Sequence, residues 1–395
     1  MSPASLSRNS KEAIIEQALQ LVASEGIDGL TLRPLAQRTG LSVASVTHHL
    51  GSKGDMIDSL AMAALKAEVA FYADNRQRFE GFGPLPAGAR ARLAEQVFGE
   101  WLDRNRLQLT FLIELVHSRV RKPDDCEILE DWFSAAGDFW SEIVFGSPQA
   151  RTLAMGYILD EAAYSLGVGE NLFYRALRSL CLDRLAHGIF PAQAGTRDEG
   201  EAFAAVVAAL KPPASNGSTR LAEENSKRER IAACAAEILS QHGIEGITHR
   251  SVGKAANVPP STVVYHFGSR EALISAGLHA IIADFHALAH RDTATPQDVQ
   301  NERARRLILA TTLIANSSAR FPALRPDALD MRRRRGENIV LDGVRQMGFA
   351  DVERLDRLSA QTLAVAYFGL RIMAMALHRP EQQFLASAVA AFRRR

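Results

Sequence analysis

Apolar residues recur at helical spacing along almost the whole chain, and no strand-like alternation of useful length interrupts them. Near the N-terminus Ile14, Ala18, Leu21 and Val22 share one helical face, and Gly26 follows where that helix would end. Leu30-Thr31 opens a second helix, with Thr31 as its N-cap, Leu30 stapled onto Leu35, and Pro34 in the first turn, where a missing N–H costs little. Gly40 ends that helix. A short third helix runs from Ser42 to His49 and stops at Gly51, and Ser52 caps a fourth.

The same pattern returns later at one constant offset. Ile14 recurs as Ile231, Ala18 as Ala235, Gly26 as Gly243, Thr31 as Thr248, Arg33 as Arg250, Val46 as Val263, His49 as His266, Gly51 as Gly268, Ser52 as Ser269 and Ile57 as Ile274. An ungapped match over about fifty residues is an internal duplication. At the second turn Asn257 replaces Gly40, and both residue types tolerate a positive φ. Helix, tight turn and short helix form a helix-turn-helix. Its second helix carries small residues outward, which suits a major groove about 12 Å wide.

The unit resembles the N-terminal domain of the tetracycline-repressor (TetR) family of bacterial transcription regulators. The likeness is carried by Thr248-His249-Arg250, Asn257-Val258 and the run Val263 to Leu273, and in the first copy by Thr31-Leu32-Arg33, Gly40-Leu41-Ser42, His49, Gly51-Ser52-Lys53 and Ile57. The resemblance implies a double-stranded DNA operator as partner. Thr31, Arg33, His48, His49, Lys53, Thr248, His249, Arg250, Tyr265, His266 and Arg270 would meet phosphates or set the register on the duplex. Ser42, Val43, Ala44, Ser45, Thr47, Pro260, Ser261, Thr262 and Val264 would face the groove. The copies depart from the family pattern at His48, Leu50 and Pro259, and their two reading surfaces differ almost completely, so they would not read the same bases.

A chain of 395 residues is too long for one ordinary domain. The expected organisation is all-α, in two tandem TetR-like modules: a DNA-binding head over 1–60, a helical body over 61–190, a linker region over 191–225, a second head over 226–280 and a second body over 281–395. The clearest linker run is Lys211 to Ser218. By resemblance, each body binds a small effector and pairs through its last two helices in a four-helix bundle. Those helices fall at about 148–166 and 170–188, and at about 352–378 and 381–393. One chain already holds two heads, so an intrachain pseudo-dimer is expected, with a homodimer of chains as the alternative.

Net charge is only +1, so basic residues for DNA must be local. Arg8, Lys11, Arg33, Arg38 and Lys53 surround the first head, and Lys227, Arg228, Arg230, Arg250, Lys254 and Arg270 the second. Three widely spaced cysteines form neither a disulfide framework nor a metal pattern, which fits a reducing cytoplasm. No stretch approaches the roughly 20 apolar residues of a membrane span, and no apolar signal region opens the chain.

In the first body Trp101, Phe111, Glu114, His117, Trp132, Phe139 and Trp140 read either as the lining of a pocket for a small, largely apolar effector or as plain core. In the second body Tyr367 and Arg371 share a face and read the same two ways. Adjacent His48 and His49 point about 100° apart on a helix, so a shared metal is not expected. The run Arg332 to Arg335 reads as a solvated helix face. No nucleophile–base pairing or phosphate loop stands out, and neither a cofactor nor enzymatic chemistry is expected. Function thus reads as a small-molecule-responsive transcription regulator, a repressor by resemblance. The alternative is a ligand-sensing or interaction protein in which one head is purely structural.

Overall fold

The computed structural model describes residues 11–81, 83–121, 127–189, 197–211, 222–289, 297–338 and 355–393. These residues form eighteen α-helices and no strand. The first head comprises α1 (Lys11–Glu25), α2 (Leu32–Thr39), α3 (Val43–Leu50) and the start of α4 (Lys53–Phe79). The first body adds α5 (Ala87–Arg104), α6 (Arg106–Arg121), α7 (Glu127–Trp140), α8 (Arg151–Val168) and α9 (Leu172–His187). The second head repeats the first as α11 (Ala222–His242), α12 (His249–Ala255), α13 (Pro260–Phe267) and the start of α14 (Arg270–Ala289). The second body continues with α15 (Gln297–Ser317), α16 (Arg325–Arg333), α17 (Arg357–Ala376) and α18 (Glu381–Arg393).

The stretch 191–225 differs from a plain linker. It contains α10 (Arg197–Ala209), because Phe203, Val207 and Leu210 form a helical stripe that is buried, in part against α9. Of the run Lys211 to Ser218, every residue after Lys211 lies outside the described residues.

The two modules share one continuous core, running from Ile14 to Val389. Its main seam is α8 against α17, the most extensive helix–helix contact among the described residues. There the backbones nearly touch. A Cβ placed on Gly369 would lie 1.8 Å from the Gly156 carbonyl oxygen, and one on Gly156 would lie 2.8 Å from the Ala366 carbonyl oxygen. α9 and α6 also pack on α17, while α15 and α16 pack on α8. By length and composition α17 would suit a membrane span, and 89% of its apolar window is buried inside the protein.

The arginine run corrects the reading of a solvated face. Arg332 and Arg335 are fully buried. Arg335 makes a two-pronged bond to Asp160, at 2.8 and 3.3 Å, and Arg332 donates to Glu161 at 2.7 Å. Both carboxylates lie on α8 of the first body. Only Arg333 and Arg334 are partly exposed, and they pair with Asp330 and Glu337 on their own segment. Residues 332 and 335 are three apart and therefore share a helical face, which here points across the seam.

Candidate functional site

In each head a tight turn presents the short helix. Gly40 takes a left-handed conformation at φ +72° and Asn257 at φ +52°, as their residue types allow. Ser42 caps α3 by accepting the Ser45 N–H at 3.1 Å, whereas Pro259 leaves α13 without a side-chain cap. Val46 and Leu50 anchor α3, and Val263, His266 and Phe267 anchor α13. The outward faces are different. α3 exposes Val43, Ala44, Thr47 and His48, with Ser45 and His49 half-buried. α13 exposes Pro260, Ser261, Val264 and Tyr265, with Thr262 half-buried; Tyr265 is 66% exposed.

The flanking residues divide. Thr31, Arg33, Ser42, Lys53, Thr248 and Arg250 are exposed. Thr31 sits at its N-cap without making a capping bond, while Thr248 closes a capping box with Ser251. Lys53 and Arg270 reach back to the same turn in their own heads. Lys53 Nζ donates to the Asp28 carbonyl at 3.1 Å, and Arg270 donates to the Ile244 and Ile247 carbonyls at 2.7 and 2.8 Å. Arg270 also lies 5.6 Å over the Phe321 ring, so most of its guanidinium is already engaged. Two residues expected at phosphates are less available than their position suggested. His266 is buried in the head's own core, and His249 is half-buried.

Between the heads lies a polar brace that sequence reasoning did not identify. Glu114 on α6 is buried, and its carboxylate accepts from the backbone N–H of Ile27 in the first head at 3.4 Å. It also accepts from Asn316 at 2.7 Å and from Arg320 at 2.9 Å, both of the second body. Arg320 reaches Glu245 in the second head at 3.4 Å and packs so closely on Gly26 that a Cβ there would lie 2.1 Å from its Nη1. Arg121 does the reciprocal work, 3.6 Å from Asp28 and against Gly243. Next to it burial, with Arg121 and Arg320 nearby, drives His117 down to about 3, so its ring is neutral. Its Nδ1 has no hydrogen-bond partner, and the adjoining cavity of about 20 Å³ has room for a single water. Glu114 and His117 therefore sit in this joint between the two modules.

Two of the three tryptophans converge elsewhere in the first body, on a carboxylate. Glu68 of α4 is fully buried. It accepts from the Tyr72 hydroxyl at 2.6 Å, Asn105 at 2.7 Å, Trp101 Nε1 at 2.9 Å and Trp132 Nε1 at 3.2 Å. Burial pushes its carboxyl above the ordinary range, against the four donors. Trp140 packs on Trp101 with ring centroids 5.3 Å apart, and Phe139 stacks on Tyr72 at 4.7 Å. Beside this cluster an open groove of about 900 Å³ runs between the end of α4, α5 and the end of α7. Its walls include Phe79, Leu85, Leu93, Phe139, Ile143 and Pro148. Trp101, Trp132 and Trp140 are not on those walls; they form the core behind Phe139. Phe111 is buried on α6. Tyr367 and Arg371 meet as their spacing suggests, at 3.4 Å, but Arg371 is also held by Glu381 at 2.6 Å. The one available signal for Glu68 was a carboxylate on the α4 face that also carries Ala64, Phe71 and Tyr72.

Comparison with known proteins matches residues 14–60 and 231–276 to the family model described as bacterial regulatory proteins, tetR family. A 60-residue stretch is 38% identical to the tetracycline repressor protein class D of Escherichia coli, covering 15% of this chain and 28% of that protein. The class H tetracycline repressor protein of Photobacterium damsela subsp. piscicida matches at the same level, 38% over 60 residues. The class C protein of Escherichia coli is 40% identical over 55 residues, 14% of this chain and 25% of that protein. The chain thus spans about a quarter of the length of the curated relatives it matches.

Proposed function

From the two tetR-family domains that this chain carries in tandem, we infer a DNA-binding transcription regulator whose single chain supplies both heads of a pseudo-dimer. The observation that carries this reading is the pairing of two outward-facing, non-identical short helices, α3 and α13, on one continuous core. The α8–α17 seam would take the place of the interface between two subunits. Exposed Thr31, Arg33, His48, Lys53, Thr248, Arg250 and Tyr265 would hold phosphates, while Val43, Ser45, Thr47, Ser261, Thr262 and Val264 would meet base edges. The groove of the first body is the candidate effector site. A ligand there would shift the heads through the helices that carry them, so effector and operator affinities would be linked reciprocally, with a repressor as the resulting role.

The test is selection of bound duplexes from a random library, followed by binding at several salt concentrations. Affinity should fall steeply with salt, as phosphate contacts release counterions. Tyr265→Ala and Lys53→Ala should weaken all duplexes alike, whereas Ser45→Ala and Thr262→Ala should change base preference, each by about 1–3 kcal/mol of discrimination. An unselective chain at physiological salt would count against the reading. So would a palindromic consensus, because α3 and α13 present different side chains.

The brace adds a further expectation. Arg320 touches the first-helix turn of one head and an acidic residue of the other. Arg320→Gln is therefore expected to leave the preferred half-sites intact but to widen tolerance for their spacing around about 34–36 Å. Binding to duplexes with zero to four base pairs inserted between half-sites measures this. An unchanged spacing profile would show that the core alone sets head separation.

A further inference from the structure

We propose that α3 and α13 read thymine C5-methyl groups, so that each half-site is selected by apolar contact with its thymines. This deepens the regulator reading and rests on it. The starting point is what the two helices lack. Val43–Leu50 and Pro260–Phe267 contain no Arg, Lys, Asn, Gln, Asp or Glu. In the major groove guanine is read by the donors of Arg or Lys, adenine by the amide of Asn or Gln, and cytosine by a carboxylate. Neither helix carries any of these. Their longer polar side chains, His48, His49, Tyr265 and His266, all lie in the last turn. Base edges are met by the N-terminal part of such a helix.

What the helices do present is apolar surface. Val43 is 42% exposed and Val264 45% exposed. The described residues expose seven large apolar or aromatic side chains, and three of them, Val43, Val264 and Tyr265, lie on these two short helices. The core does not use them, so their place outside needs another partner. Val43 and Thr47 stand one helical turn apart on α3, and Pro260 and Val264 hold the same two positions on α13. The Thr47 hydroxyl donates to the Val43 carbonyl at 3.0 Å, so its proton is already used inside the helix. Ala44 and Ser261 are small and exposed beside them, which lets the helix approach closely. The C5-methyl of thymine is the apolar group that unmodified DNA displays in the major groove, and apolar side chains are its partners there. Side chains one turn apart are about 5–6 Å apart at Cβ, within reach of methyl groups one or two base pairs apart at about 3.4 Å per pair.

Uracil in place of thymine removes the C5-methyl and keeps the base pair, so it isolates the contact. The full chain first selects its preferred duplexes from a random library. The selected half-sites should contain thymine, and each is then remade with uracil. Burying one methyl group corresponds to about fourfold in affinity, so two contacts should make the uracil form of either half-site bind about tenfold more weakly. The same exchange in a non-selected duplex should change nothing. Val43 and Val264 are exposed, so Val43→Ser and Val264→Ser spare the core. Val43→Ser should abolish the preference for thymine over uracil at one position of one half-site, and Val264→Ser at one position of the other. Selected half-sites without thymine, or equal binding of thymine and uracil duplexes, would overturn the proposal. So would variants that still discriminate like the wild type, because the methyl effect would then come from the shape of the DNA. A clear consensus without a uracil effect would leave the regulator reading intact, whereas the absence of any preferred duplex would sink both.

Discussion

Replacing Arg335 by alanine is expected to lower the free energy of unfolding by about 3–5 kcal/mol. The guanidinium is buried and ties the second body to Asp160 of the first, with a further bond to Thr311 at 2.8 Å and with the Phe368 ring centroid 3.8 Å away. Removing it strands a carboxylate in an apolar seam. Burial already pushes the Asp160 carboxyl upward, with Arg335 opposing that, so the variant should hold Asp160 as the neutral acid over a wider pH range. The sign follows from linkage. A carboxyl whose folded-state value is raised costs stability once pH exceeds its unfolded value, so the deficit of the variant should shrink as pH falls. Denaturant unfolding at several pH values measures both. The double variant with Arg335→Met and Asp160→Leu should recover most of the loss, because a buried pair is often replaceable by apolar residues of similar volume. A single variant as stable as the wild type would mean that the seam admits water at this point.

Gly369→Ala is expected to have an effect of similar rank for a purely steric reason. The added methyl would lie 1.8 Å from the Gly156 carbonyl oxygen, and that oxygen is backbone, not the movable end of a side chain. α8 and α17 would have to separate along a seam that also carries the Arg332–Glu161 and Arg335–Asp160 pairs. A cost of about 3 kcal/mol or more is expected, above the usual range for one extra methyl group in a core. Gly88→Ala is the control: it lies at the start of α5, where the nearest atoms to a new Cβ are 3.7 Å away. Thermal melts of the two variants should differ by several degrees. If Gly369→Ala unfolds like the wild type, the modules do not depend on this crossing.

Much of this molecule can be read along the chain, because local rules act over a few residues. Gly26 and Gly243, Gly40 and Asn257, Ser42 and Ser52 mark the ends of the short helices, and the structure places turns and caps there. Helices stand at Arg151–Val168, Leu172–His187, Arg357–Ala376 and Glu381–Arg393, where the periodic pattern expects them, with 352–354 outside the described residues. The all-helical class and the tandem repeat follow from periodicity and self-similarity, neither of which needs a partner segment to be known.

Charge placement could not be read that way. Arg332, Arg333, Arg334 and Arg335 are four identical letters, yet two of them are buried and two partly exposed. Which is which depends on where α8 crosses, and Asp160 and Glu161 are more than 170 residues earlier in the chain. For the same reason Glu68 and the tryptophans form one cluster only after α4, α5 and α7 have packed. Glu114 becomes part of a joint only because Arg320 and Asn316 arrive from the second body. A helix's own sequence determines where it starts, where it stops and which face is apolar. The ionic and aromatic partners on that face come from distant segments, and only the tertiary packing of the two modules brings them within hydrogen-bond reach.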